Sequence, residues 1–219
     1  MERQEILEAM SELKLYGMRA NFDEVAGKGL ARRDEIYPLI ASLIRAERTH
    51  RQARSISYRI GGAKFPVLKD LEKFVFADTT VDEGLVRELA TGSFLDAKRN
   101  AIFIGGTGTG KTHLCIAVAS AVIRTRARGR FFNLVDLVNQ LEQEKAAGRS
   151  SRLAEKLSRY DRIAIDELGC LPFSQSGGQL LFHLISKRYE NTSLLITTHL
   201  AFADWPQGVR RRQNDHGHA

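Results

Sequence analysis

Eight residues, "GGTGTGKT" at 105–112, carry the most specific chemistry in the chain, and they fit the spacing G-x-x-x-x-G-K-[ST]. Gly105, Gly106, Gly108 and Gly110 let successive backbone N–H groups turn inward around phosphate oxygens, with Thr107 and Thr109 between them. Lys111 then reaches the β- and γ-phosphates, and the Thr112 hydroxyl ligates Mg2+. Average glycine usage makes the odds of a chance match in a chain this long about one in a hundred. The match also lies between the apolar run Ala101–Ile104 and a helix-forming run, Leu114–Val122. That context offers a helix N-terminus to the same anion. No N-K-x-D string occurs that would read guanine, so the expected ligands are ATP and Mg2+.

Two further stretches complete a candidate site. In "RIAIDELGCLPF", residues 162–173, an apolar strand ends in Asp166 and Glu167. Asp166 at a strand terminus holds Mg2+ through water, and Glu167 polarises the attacking water as a general base. Following the glycine loop by roughly two strand–helix units, this pair reads as a Walker B arrangement. In "SLLITTHL", residues 193–200, a third apolar strand ends in polar residues, and Thr198 or His199 is expected to contact the γ-phosphate.

Positioning these residues requires a sheet. Strands are expected at Ala101–Ile104, Arg130–Leu134, Ile163–Ile165 and Leu194–Thr197. Between them, helices are expected at Lys111–Arg126, Asp136–Ala147, Arg152–Ser158 and Gly177–Tyr189. Short, apolar, non-alternating strands separated by helices indicate an α/β fold with a parallel sheet covered on both faces. Before this core, residues 2–64 read as helix throughout, with Ile6, Leu7, Met10 and Leu13, then Ile36, Ile40, Leu43 and Ile44, at helical spacing. Gly61, Gly62 and Pro66 punctuate the chain and place a domain boundary near residue 64. A short helix is expected at Asp82–Thr91.

The chain has 219 residues, 43% hydrophobic and 27% charged, with a net charge of +7. This is the composition of a protein with a real core and an excess charge that favours a polyanionic partner. No apolar run is long enough to span a bilayer, and the charged, helical N-terminus is unlike a signal peptide. Cys115 and Cys170 lie in apolar surroundings and match no metal spacing, as expected of buried thiols in a cytoplasmic protein. Arg45, Arg48, Arg51 and Arg54 recur every three residues, forming a slowly drifting row on one side of a helix. With the charge excess, the row reads as a phosphate-facing stripe for nucleic acid or an anionic surface, the alternative being a solvated face.

Taken together, "LKLYGMRANFDE", "FPVLKDLEKFVF", "LVRELATGSF", "GTGKTHLCIAVA", "IDELGCLPF" and "LLITTHLAFADW" resemble the IstB family over residues 11 to 206. These are helper ATPases encoded beside insertion-sequence transposases, of the AAA+ superfamily and related to the DnaC helicase loader and the DnaA initiator. The resemblance implies an AAA+ P-loop fold with a small helical N-terminal domain, 1–64. It also implies ATP-dependent self-assembly into an oligomer on target DNA, and stimulation of a partner transposase. Lys111, Thr112, Asp166 and Glu167 carry over onto the family's catalytic positions. His199 stands where the family usually has asparagine; an imidazole still donates one hydrogen bond to phosphate. The alternatives are a DnaC-type helicase loader, or an ATP- and DNA-binding remnant without turnover.

After "FADWP" the sequence departs from the family, which continues into an arginine-bearing segment and a helical lid. The core is therefore bounded at 65–207, and 208–219 is expected to be a non-native, disordered tail in which Arg210–Arg212 have no core around them. Suitable synonymous codons for "GVRRRQNDHGHA" read V-F-G-D-A-K-M-T-T-A-T in the next frame, a family-like phrase, so one reading-frame slip near Gln207–Gly208 would account for the departure, the alternative being a natural, divergent C-terminus.

Overall fold

A computed structural model describes residues 3–27, 36–77, 79–125, 127–148, 152–168, 174–188 and 192–199. Cys170, Arg210–Arg212 and the 208–219 tail lie outside the described residues. The chain divides into two compact units, Met1–Tyr58 and Arg59–Ala219. Among the described residues no helix is long and apolar enough to cross a membrane.

The first unit is helical: α1 (Arg3–Glu12), α2 (Tyr16–Ala26) and the greater part of α3 (Ile36–Ala63). Its organising feature is a buried carboxylate. Leu15 precedes α2 without a side-chain cap, and the orphan N–H groups of Gly17 and Met18 donate instead to Glu47 Oε2 on α3, at 2.7 and 3.1 Å. Arg51 Nε donates to Glu47 Oε1 at 2.6 Å. The backbones approach so closely here that a Cβ on Gly17 would lie 2.5 Å from His50 Cβ and 2.6 Å from the Ala46 carbonyl. The "LKLYGM" string is thus a helix crossing, with Tyr16 tilted against His50 at 6.1 Å.

The helix expected to run on to residue 64 does continue through Gly61 and Gly62. α3 runs through both glycines and ends at Ala63, with Lys64 left-handed at φ 60°. Two glycines disfavour helix by about 1 kcal/mol each. Tertiary contacts offset this: Ala63 is fully buried and the Gly62 carbonyl accepts from Arg130 Nη1 at 2.9 Å.

The second unit continues with α4 (Glu83–Thr91) and α5 (Ser93–Asp96). The core alternates from there: β1 (Ala101–Ile104), α6 (Lys111–Arg124), β2 (Gly129–Asn133), α7 (Leu134–Ala146), α8 (Arg152–Leu157), β3 (Arg162–Leu168), α9 (Gln175–Arg188) and β4 (Ser193–Thr198). These elements match the expected ones to within two residues at each described end except that β3 runs three residues past Ile165, and the four strands form a parallel sheet in the order β1-β4-β3-β2. Strand alternation divides the core into two layers. Phe131, Ala164 and Leu195 pack with α6 and α4, while Phe132, Ile163, Ile165, Leu194 and Ile196 pack with α7, α8 and α9. On β1, Ala101 and Phe103 join the α6 layer, whereas Ile102 and Ile104 are exposed. Continuous apolar runs in β3 and β4 follow from burial on both faces.

A strap, residues 65–76, is tied across α6. Ser120 Oγ donates to the Lys69 carbonyl (3.1 Å), His113 Nε2 lies 3.3 Å from the Asp70 carbonyl, and Arg124 pairs with the Asp70 carboxylate (2.8 Å). The strap ends with Phe74 edge-on to His113 and Phe76.

Candidate functional site

β1 delivers the chain into the glycine loop at the C-terminal end of the sheet, where open α/β sheets place their ligands. The loop is anchored to the neighbouring strand by Gly105 N, which donates to the Thr198 carbonyl at 3.2 Å. Gly106, Thr107, Gly108 and Thr109 are exposed. Thr109 Oγ1 and Lys111 Nζ both donate to the Gly106 carbonyl, at 2.9 and 2.6 Å, which holds the ammonium over the loop. Gly110 is left-handed at φ 83°, and a Cβ there would lie 2.6 Å from Phe74 Cε2, so glycine is required twice over. α6 then begins without a side-chain cap. By contrast, Asp82 caps α4 through Leu85 N, and Asn133 caps α7 through Val135 N. The uncapped donors at the start of α6 therefore remain for an anion.

The two acids lie on β3. Asp166 is buried, and its Oδ1 accepts hydrogen bonds from Thr112 Oγ1 (2.8 Å) and from Thr197 Oγ1. A hydroxyl and a carboxylate brought together beside an uncapped helix start form a hard-oxygen donor set, and that set fits Mg2+. Glu167 is exposed and stands at a β-bulge. Ile165 pairs with Ile196 and Leu168 with Thr198, so Asp166 and Glu167 together oppose the single residue Thr197. The extra residue, Glu167, is left-handed at φ 67°, a conformation that costs a non-glycine residue about 1–2 kcal/mol. Its N–H donates to Thr197 Oγ1 at 2.9 Å, and its carboxylate accepts from Asn133 Nδ2 at 3.0 Å. Cys115 is fully buried on α6; burial, with a smaller push from the Asp166 carboxylate, raises its thiol pKa and leaves it a packing residue.

The structure brings Gly105–Thr112, Asp166 and Glu167 together at one end of the sheet. It places Thr198 and His199 differently from each other. Thr198 touches the loop through its carbonyl, while its buried side chain falls, by alternation, on the face of Leu194 and Ile196. His199 is exposed in the bend that follows. The hydroxyl bonded to both Asp166 and Glu167 is that of Thr197, a residue the sequence did not single out. Asn133 also escaped sequence reading as a partner of Glu167, although an asparagine before "LVDLV" signals the helix cap that it makes.

The arginine row divides. Steps of three on a helix turn about 60° each, so the row sweeps half-way round α3. Arg54 lies over the Tyr16 ring (5.8 Å), Arg51 pairs with Glu47, and Arg45 Nη2 reaches Ser42 Oγ (3.2 Å). Arg48 is exposed and has no partner among the described residues.

Comparison with known proteins agrees with this geometry. A protein described as the ATP-binding protein of insertion sequence IS5376 from Geobacillus stearothermophilus is 36% identical over 168 residues, covering 76% of this chain and 67% of its own length. One from insertion sequence IS21 of Pseudomonas aeruginosa is 32% identical over 201 residues, covering 90% and 74%. Among solved structures, the DnaC helicase loader superposes with a TM-score of 0.57 at 23% identity, covering 69% of this chain and 89% of that one. AMPPCP-bound DnaA from Aquifex aeolicus gives 0.51 at 19% identity, covering 64% and 43%. At such identities the likeness is one of fold, the P-loop AAA+ fold that the sheet order and glycine loop display. Because residues 8–213 match the family described as IstB-like ATP binding protein, the chain belongs to that family.

Proposed function

We propose that this chain binds ATP with Mg2+ in the Gly105–Thr112 loop and hydrolyses it with Glu167 as base. In its ATP state it self-assembles on double-stranded DNA and stimulates a partner transposase. The observation that carries the reading is the Thr112–Asp166 hydrogen bond, which joins the loop to β3 where a nucleotide's phosphates would lie. Lys111 exchanges the Gly106 carbonyl for β- and γ-phosphate oxygens, and the first N–H groups of α6 receive the same charge. Thr112 and Asp166 would hold Mg2+, which when bound neutralises charge on the phosphates. Glu167 takes the proton of the attacking water, and Asn133 holds its carboxylate meanwhile. His199, exposed beyond β4, is the side chain proposed to contact the γ-phosphate, with Thr198 anchoring the loop behind it.

DNA contact falls to the α3 arginines, led by Arg45 and Arg48 on the outward side, with Arg51 and Arg54 steadying the helix crossing. The charge of +7 and the insertion-sequence relatives support this assignment. The test has two arms. Lys111→Ala should abolish ATP binding, and Glu167→Gln should bind ATP yet lose hydrolysis by about a hundredfold or more. Unchanged nucleotide affinity in Lys111→Ala overturns the assignment. Reversing Arg45 and Arg48 to glutamate should reduce the slope of log affinity against log salt by about two. An unchanged slope removes α3 from the DNA surface.

A further inference from the structure

Resting on the reading of Asp166 and Glu167 as the metal-binding acid and the base, we infer that Thr197 is a positioning residue that aims both through one hydroxyl. Its Oγ1 donates to Asp166 Oδ1 and accepts from Glu167 N at 2.9 Å. A hydroxyl has one proton to give and lone pairs to receive, so a single oxygen makes both bonds without conflict. Neither bond belongs to the regular ladder. The bulge leaves Glu167 without a residue of its own across from it, and the Thr197 side chain takes up the N–H that the shifted register frees. Fixing this N–H holds Glu167 in its left-handed conformation, φ 67°, and so sets the direction in which its side chain leaves the strand. The other bond orients the Asp166 carboxylate towards Thr112, which donates to the same oxygen at 2.8 Å.

The position suits a device of fixed geometry. Thr197 is 1% exposed, and its parity on β4 matches Leu195, which faces α6. β-branching restricts χ1, so in a buried strand the threonine hydroxyl is less free to rotate away than a serine's. Asn133 restrains only the end of the Glu167 side chain, at 3.0 Å, whereas Thr197 restrains its backbone. The two controls are separable.

The test compares Thr197→Val, which keeps the shape and removes the hydroxyl, with Thr197→Ser, which keeps the hydroxyl. Two quantities are read on each variant: the Mg2+ concentration giving half-maximal binding of a fluorescent ATP analogue, and steady-state hydrolysis of ATP. Thr197→Val should raise the Mg2+ requirement and lower kcat by about tenfold or more, the effect of one hydrogen bond to a charged group. KM for ATP should move less than about threefold, since the loop and Lys111 are untouched. Thr197→Ser should restore both to within about threefold, with some loss from its freer rotamer. A valine variant with the wild-type Mg2+ requirement and kcat overturns the inference. So does a serine variant as impaired as valine with a thermal midpoint equally lowered, because both then report packing alone. If the wild-type chain binds Mg2+–ATP without turnover, the base assignment fails while the Mg2+ titration still decides the Asp166 arm. If it binds no nucleotide, both readings fall.

Discussion

Each unit of the chain buries a carboxylate that accepts protein hydrogen bonds, and the two are used in opposite ways. Glu47, in the helical unit, is saturated by its own chain: two backbone N–H groups on one oxygen and an arginine on the other. Asp166, at the sheet's C-terminal end, receives hydroxyl donors on Oδ1, and no cation pairs with it among the described residues. A carboxylate with its charge matched internally serves the fold. One supported only by neutral donors has no protein cation beside it, and in the proposed function Asp166 is the acid that would hold the metal. A third buried charge sharpens the point. Arg162 begins the strand that Asp166 nearly ends, and it is 1% exposed. Its Nη2 donates to the Ala119 carbonyl, and its buried Nη1 has no partner among the described residues. Desolvation pushes its pKa down to about 9, yet it remains charged at neutral pH. It lies at the end of the sheet away from the loop, where it fills space against α6.

The largest contrast should come from the same change at the two acids. Asp166→Asn should reduce ATP turnover by about a hundredfold or more, while stability shifts by only about 1 kcal/mol. The amide oxygen still accepts from both threonines. Steady-state hydrolysis beside denaturant unfolding checks this, and a variant that unfolds but retains turnover breaks the comparison.

Glu47→Gln should do the reverse, lowering the stability of the helical unit by about 2 kcal/mol and leaving ATP affinity unchanged. The amide cannot match Arg51 and keeps only one acceptor oxygen. Here pH adds a second readout. Desolvation raises the Glu47 pKa, but hydrogen bonds from Arg51, Met18 and Gly17 more than reverse it, so the native value is below the ordinary 4.5. A depressed native pKa stabilises fully above the unfolded value and loses that contribution as pH falls through the native one. Unfolding of the helical unit, followed between pH 5 and about 2, should therefore show a loss that Glu47→Gln lacks.

Smallest should be the effect of Arg162→Met. It removes a buried charge with an orphaned donor and keeps much of the volume, so stability should hold or rise by about 1 kcal/mol. A loss above about 2 kcal/mol would show that the Ala119 bond outweighs the desolvation.

How much of this was legible beforehand follows from where each signal resides. The glycine loop was readable because backbone curvature, a cation and a hydroxyl at fixed spacing are local requirements. Asp166 and Glu167 were readable because they end an apolar run. Thr197 was not: "TT" does not say which threonine faces α6, and parity emerges only when the strand is seated between two helical layers. The bulge was equally hidden, since register is a property of two strands and not of one. The partners of the arginine row were hidden for a related reason. Spacing of three describes a slowly turning row, but only the packing of α2 on α3 brings the exposed Arg54 over the Tyr16 ring. Helix through Gly61 and Gly62 was readable from the run before them, whereas the buried Ala63 and the accepted Gly62 carbonyl that support it are tertiary contacts.

By itself, then, the order of residues determined the α/β class, the strand order of appearance, the loop, Lys111, Thr112 and the two acids, because each is written in short-range pattern and chemistry. Only the tertiary structure decided which hydroxyl joins Asp166 to Glu167 and that Asn133 meets Glu167 from β2. Only it decided that Glu47 closes the start of α2. Those are contacts across 29 to 34 positions of chain, and no local periodicity carries the distance between residues so far apart.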